Sequence, residues 1–283
     1  MIYKFLVILS DIEYILSPAY IHPRRGKILT DYIRIRIKAS FNRWFHFKKE
    51  HFLSYKVEFP DYEIFFSTFR QVFVRHAYYA EIQTPVPLIV DCGGNIGMSV
   101  LYFKYLYPKA RVLVFEPSRE VIGSIKKNLE KNTSDVTLVN AAVYDHDGEM
   151  KMYPRGSAAC GNTLDIGVLQ ATPLKESLQP YTVEVKRLSP FIKADENIDL
   201  LKLDIEGSEG VVLGELARED KFKNIKAVIL EYHDYHDARE NSMPHILSLF
   251  DFQGYKTKIY SDDIAPASLH SISALCIQAL KTS

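Results

Sequence analysis

One stretch constrains this chain more than any other: Leu88-Ile89-Val90-Asp91-Cys92-Gly93-Gly94-Asn95-Ile96-Gly97. A short apolar run ends in an acid, passes through a glycine-rich turn and opens an apolar segment, Ile96–Tyr107, that stops before Pro108. The run reads as a buried strand and the segment after it as a helix apolar nearly all round. Glycines in the turn let a ligand approach the backbone, and the helix start offers unpaired N–H groups. The alternation continues. Val112–Phe115, Val136–Val139, Ile198–Leu203 and Ala227–Leu230 are further Val/Ile/Leu runs, and Tyr255–Tyr260 and Ile272–Ile277 read as a closing hairpin. Ser118 is placed to cap a helix carrying Ile122, Ile125 and Leu129 on one face. Strand alternating with helix predicts an α/β fold with a doubly wound, mostly parallel sheet.

The loop departs from the dinucleotide fingerprint G-x-G-x-x-G, because it carries Asp91 at the strand end. A carboxylate there repels a pyrophosphate and attracts an amino group or a sulfonium. S-adenosylmethionine has both. Glu116, in Phe115-Glu116-Pro117 after the second strand, can accept hydrogen bonds from two ribose hydroxyls. Asp204 and Glu206 fall at the carboxyl end of the fourth strand, where open α/β sheets bind ligands. Lys202, inside that strand, needs a partner and reads as a structural ion pair with one of the acids. After the fifth strand comes Glu231-Tyr232-His233-Asp234-Tyr235-His236. Asp204, Glu206, Glu231 and His233 are the base candidates; an imidazole suits proton removal at neutral pH, so His233 is the expected base, with Asp204 or Glu206 orienting it or the substrate. His233-x-x-His236 has the residue types of a metal site, but one strand end supplies too few converging ligands, and no metal is expected.

Five blocks resemble the FkbM-type family of S-adenosylmethionine-dependent methyltransferases: VDCGGNIGMSVLYF, VLVFEPSREVIGSIKKNLEKN, VTLVNAAVYDHDGEMKMY, IDLLKLDIEGSEGVVL and AVILEYH. The resemblance reaches back to FPDYEIFF and spans roughly residues 55–280 of the chain. It implies a seven-strand, Rossmann-like class I methyltransferase sheet whose last two strands form a hairpin, and methyl transfer to a hydroxyl of a sugar, glycan or polyketide-like product. By that similarity Asp91, Gly93, Asn95 and Gly97 line the methionine and ribose of the cofactor. Glu116 holds the ribose hydroxyls, and Asn140, Ala141 and Ala142 lie near the adenine. Gly156–Asn162 reads as an irregular insertion, either an access loop or a plain connection.

Composition narrows the rest. Lys+Arg and Asp+Glu number 35 each, which speaks against a dedicated nucleic-acid binder, and hydrophobic residues at 47% speak against disorder. The balance is a cancellation, since residues 21–56 hold ten Lys/Arg against two acids and residues 57–283 carry a net −7. Ile33, Ile37, Phe41, Trp44 and Phe45 share one face if this basic segment is helical, whereas Ile33–Lys38 alternates as a strand would. The segment reads as an amphipathic appendage docked on the acidic remainder, or as a surface for anionic lipid, glycan or nucleic acid. Around the next Pro, Tyr55–Phe59 and Tyr62–Phe66 read as two strands joined at Pro60-Asp61, followed by a helical stretch with Phe69, Phe73 and Ala77. The expected division is a basic aromatic extension over 1–53, a hairpin and helix cap over 54–86, and the methyltransferase domain over 87–283. Three scattered cysteines, no membrane-length apolar run and no signal-peptide pattern lead to a cytoplasmic expectation, with peripheral contact to the inner face of a membrane through residues 21–56. An alternative class is a nucleic-acid methyltransferase gripping through that segment, although Asp204-Ile205-Glu206-Gly207 stands where base-amine methylating enzymes carry Asp/Asn-Pro-Pro-aromatic. A second is a non-catalytic binding module that keeps the fold.

Overall fold

The computed structural model describes residues 2–154, 162–164, 179–233, 239–260 and 275–282. Two helices come first, α1 (Ile2–Leu16) and α2 (Arg25–Phe45), then a hairpin of β1 (Lys49–Phe52) and β2 (Tyr55–Glu58), then α3 (Tyr62–Phe69), which runs on into a π-helical turn over Arg70–Val74. The sheet region follows as β3 (Leu88–Cys92), α4 (Met98–Leu106), β4 (Arg111–Phe115), α5 (Ile122–Asn132) and β5 (Val136–Val139). After it come β6 (Ala142–Tyr144), β7 (Gly148–Met152), β8 (Tyr181–Arg187), β9 (Leu200–Leu203), α6 (Glu209–Arg218), β10 (Ala227–Tyr232), α7 (Met243–Phe252), β11 (Tyr255–Tyr260) and β12 (Leu275–Lys281).

Seven strands form the main sheet in the order β11-β12-β10-β9-β3-β4-β5. The five from β10 to β5 are parallel, and β12 is antiparallel to both of its neighbours. This is the doubly wound α/β sheet with its closing hairpin that the sequence predicts. Residues alternate between two apolar layers as a pleated strand requires. Ile89, Val112, Val114, Leu200 and Ile229 join the layer under α4 and α5, while Val90, Phe115, Leu201, Val228 and Leu230 join the layer under α6 and α7. Each such side chain taken fully out of water contributes about 1.5–3 kcal/mol. Strand order reverses at β3, so the carboxyl ends of β3, β4 and β9 border the crevice where this architecture binds ligands.

Four local expectations change. Tyr62–Phe66 is helix and not strand, because the Asp61 carboxylate caps it, accepting from the Glu63 N–H at 2.7 Å and the Ile64 N–H at 3.4 Å. Strand β2 pairs instead with β1, upstream of it. Ser118 does not cap α5: Val121 stands at that position and the Ser118 hydroxyl bonds Glu116. A second sheet, β6-β8-β7, branches off after β5, and no sequence signal was read for it. Residues 156–161 of the glycine-rich insertion and residues 272–274 of the last strand lie outside the described residues.

The front segment is helical. The inner face of α2 buries Ile28, Tyr32 and Ile35, and Ile33, Ile37, Phe41, Trp44 and Phe45 face outward. Among the described residues, one of its ion pairs reaches the acidic remainder, Lys49 with Glu58, and the others stay within the segment. Arg34 and Lys38 pair with Glu50, and Lys27 and Arg34 with Asp31. Docking is apolar and hydrogen-bonded: Tyr32 donates to buried Asp11 of α1, which also takes Arg70 and Arg75. One apolar cluster runs from Ile15 and Tyr32 through Phe52 and Phe73 to Val100 and Ile229, across residues 53/54 and 86/87. No helix among the described residues is long and apolar enough to cross a membrane.

Candidate active site

The glycine loop is shaped as much from within as by any ligand. Gly93 has φ +93°, and a Cβ there would meet the Asp204 carbonyl oxygen at 1.9 Å, so only glycine lets β3 and β9 close together at their ends. Gly97, at φ +89°, begins α4, and Asn95 takes the left-handed conformation beside it. Asp91 is fully buried in β3 and does not face the crevice as an open charge. Its carboxylate accepts from the Ser99 hydroxyl and lies 3.0 Å from the Lys202 ammonium, which reaches Asp204 at 3.4 Å and donates to the Gly93 carbonyl at 2.8 Å. Burial alone would lower the Lys202 pKa, but the Asp91 and Asp204 carboxylates outweigh it and hold the ammonium charged. The structural ion pair read for Lys202 is present, with Asp91 as its nearest acid. The reading of Asp91 as a direct attractor of a cationic ligand is corrected: its charge is spent on Lys202.

Glu116 follows β4 and is buried. Its two carboxylate oxygens accept from the backbone N–H groups of Asn95 and Ser118, each at 2.7 Å. Burial pushes its carboxyl up, opposed by these bonds. The Ser118 hydroxyl bonds it as well, so about three of the carboxylate's four lone-pair sites are filled, one stays available to a ribose hydroxyl, and the main chain fixes its direction. Asn140 is exposed after β5 and donates to the Glu116 carbonyl at 2.8 Å, which ties the expected adenine side of the crevice to the expected ribose side. Ala141 and Ala142 are buried, and Ala142 packs with Met152, Val183 and Val185.

At the ends of β9 and β10 the acids converge. Asp204, Glu206 and His233 bring ligand-type atoms within 4.8 Å of one another. The Tyr78 hydroxyl lies 2.9 Å from Asp204 Oδ2 and 3.0 Å from Glu231 Oε2, and Gln71 Nε2 donates to the same Glu231 oxygen at 2.8 Å. His233 is enclosed by carboxylates: Nδ1 is 3.2 Å from Glu209, and Nε2 is 3.5 Å from Glu206 and 3.8 Å from Glu231. Burial would lower the imidazole pKa, but Glu206 and Glu209 outweigh it and raise it well above 6.5. Burial and then the Asp204 carboxylate raise Glu231 to about 8. The cluster therefore favours the protonated forms of His233 and Glu231. A raised imidazole pKa runs against the sequence expectation of His233 as base. Asp204 and Glu206, each about a fifth exposed, remain within reach of a substrate.

The reason for expecting no metal also changes, since two strand ends together supply the three converging groups. Such a set of oxygens and one imidazole suits a divalent cation. His236 lies outside the described residues. Sequence reading missed Gln71, Tyr78 and Glu209. Glu209 stood in the quoted D-I-E-G-S-E block, but nothing in the spacing marked its side chain as turning back to His233. Gln71 and Tyr78 lie more than 120 residues from the groups they touch, and only the docking of the cap on the sheet brings them there.

Comparison with known proteins accords with this geometry. The family model for the methyltransferase FkbM domain matches residues 91–257. Methyltransferase 1 of Beauveria bassiana is 29% identical over 215 residues, covering 71% of this chain and 84% of that protein. The 31-O-demethyl-FK506 methyltransferase FkbM of Streptomyces tacrolimicus is 25% identical, with 73% and 88% covered. The 2-O-methyltransferase NoeI of Sinorhizobium fredii is 24% identical, with 58% and 70% covered. A glycine loop after the first parallel strand, a main-chain-fixed carboxylate after the second and an acidic cluster at the fourth and fifth thus fall inside one matched segment, and the chain belongs to the FkbM family of methyltransferases.

Proposed function

We propose that this protein transfers a methyl group from S-adenosylmethionine to a hydroxyl oxygen of a sugar, glycan or polyketide-like metabolite. The observation that carries the reading is the convergence of Asp204, Glu206, Glu231 and His233 beside the loop that Gly93 and Glu116 build. The names of two relatives, a 2-O-methyltransferase and a 31-O-demethyl-FK506 methyltransferase, support oxygen as the acceptor atom. The residues present fit the cofactor. Glu116 offers a fixed carboxylate for the ribose hydroxyls, Asn140 borders the base side, and the acids Asp91, Asp204, Glu206, Glu209 and Glu231 outnumber the cations Lys202 and His233 even with a proton on Glu231, which favours a ligand of net positive charge.

When bound, S-adenosylmethionine supplies the electrophilic methyl on its sulfonium. The chain has two tasks left, to align the acceptor and to take its proton. Asp204 is the group assigned to the proton, because it is partly exposed and the Tyr78 hydroxyl and Lys202 fix its position. His233, gripped by Glu206 and Glu209, holds the wall of the site and keeps Glu206 in place. Incubation with methyl-deuterated S-adenosylmethionine and a panel of oligosaccharides and macrolides, read by mass spectrometry with fragmentation, tests the reading. Label on an acceptor oxygen supports it. Label on nitrogen or carbon, or cofactor binding with no transfer to any hydroxyl in the panel, counts against it.

A further inference from the structure

Helix α2 turns its wrong side to solvent for an appendage that merely docks. Ile33, Ile37, Phe41, Trp44 and Phe45 are 42–66% exposed, although Ile28, Tyr32 and Ile35 already satisfy the core from the opposite side. Five large apolar side chains on one face of one helix form a contiguous patch, which a protein surface rarely leaves without a partner. The charges are arranged around it. At the helical repeat, Arg25, Arg36 and Arg43 run along one border of the stripe, and Lys27, Arg34 and Lys38 along the other. The helix holds six Lys/Arg; Lys27, Arg34 and Lys38 pair with buried Asp31 and Glu50, and the other border carries Arg25, Arg36 and Arg43. Arg43 lies over the Trp44 ring, 3.8 Å from its centre, and so sits at the margin of the apolar face.

We infer that this outward face of α2 docks on the surface of an anionic lipid bilayer. Trp44, Phe45, Phe41 and the two isoleucines enter the boundary between headgroups and acyl chains, and the Arg25, Arg36 and Arg43 border meets lipid phosphates. A second copy of the chain fits less well, because an isologous contact through this stripe would bring two rows of arginines, Arg25, Arg36 and Arg43 on each copy, together with no exposed acid on the helix to answer them. The inference does not depend on the methyl-transfer reading, since binding needs neither cofactor nor turnover.

Co-sedimentation of the full chain with vesicles tests it. The protein should pellet with phosphatidylcholine vesicles containing phosphatidylglycerol and stay largely in solution with phosphatidylcholine alone. Added salt should weaken the binding. The double variant Trp44→Ser/Phe45→Ser should lose roughly tenfold or more of the partitioning, given the apolar area removed. Arg25→Glu/Arg43→Glu should lose binding to the anionic vesicles by a comparable factor while keeping the wild-type circular dichroism, which answers for a serine variant that fails to fold. Equal binding to both vesicle types, no binding to either, or a wild-type dimer in light scattering that Trp44→Ser/Phe45→Ser converts to monomer would overturn the inference.

Discussion

At the scale of single residues, the site is a problem in charge. Five carboxylates, Asp91, Asp204, Glu206, Glu209 and Glu231, surround two cations, Lys202 and His233. Buried like charges cannot all ionise cheaply, and the pKa values of Glu231 and His233 are both pushed up. This is why the residue types were legible in the sequence and their roles were not. The spacing put His233 after a strand, but the carboxylates that raise its pKa are Glu206 and then Glu209, whose side chain turns back from the start of α6. The account predicts a split between two variants. Asp204→Asn should keep cofactor affinity and lower turnover by about 100-fold or more, the usual loss when a positioned base is removed. His233→Gln should cost less turnover and leave the neutral-pH limb of the rate profile in place. Steady-state kinetics against pH distinguishes them, and a larger loss in the histidine variant would restore the imidazole as base.

At the scale of elements, short apolar runs with period two were ambiguous and caps decided them. Tyr62–Phe66 alternates like a strand, yet Tyr62, Phe65 and Phe69 also fall at helical spacing, and the Asp61 carboxylate on two N–H groups tips the choice. Asp61→Ala should destabilise the fold by about 1 kcal/mol, seen as a lower denaturant midpoint with an unchanged slope. The turn between α1 and α2 carries a second dependence. Buried His22 stacks on Tyr105 with ring centres 4.1 Å apart and lies 5.5 Å from His76. Burial lowers these imidazoles from 6.5 to about 3 and about 4. The unfolded chain then binds protons that the fold refuses, so their share of stability is complete above pH 6.5 and is lost as pH falls toward 4. Thermal melts across that window should show a falling midpoint, and His22→Phe should flatten the slope. A midpoint independent of pH there would contradict the burial of neutral imidazoles.

At the scale of the whole molecule, the parallel sheet was the most legible feature, because central strands covered on both faces announce themselves as unbroken Val/Ile/Leu runs. The branch sheet β6-β8-β7 was not, since its strands are short and mixed in polarity. The zero net charge proved to be two regions of opposite sign that do not neutralise each other through the contacts described. Apart from Lys49 with Glu58, the described ion pairs of the basic segment stay within it, and the acids gather at the sheet's carboxyl edge. An acidic crevice of this kind should hold a cationic cofactor, with Glu116 as the residue that recognises its ribose. Calorimetric titration of S-adenosylmethionine into the wild type and into Glu116→Ala tests this most directly. The account predicts one site per chain in the wild type and a loss of affinity of roughly tenfold or more in the variant, as expected for hydrogen bonds to a charged group. No heat of binding in the wild type, or equal affinity in both proteins, would contradict it.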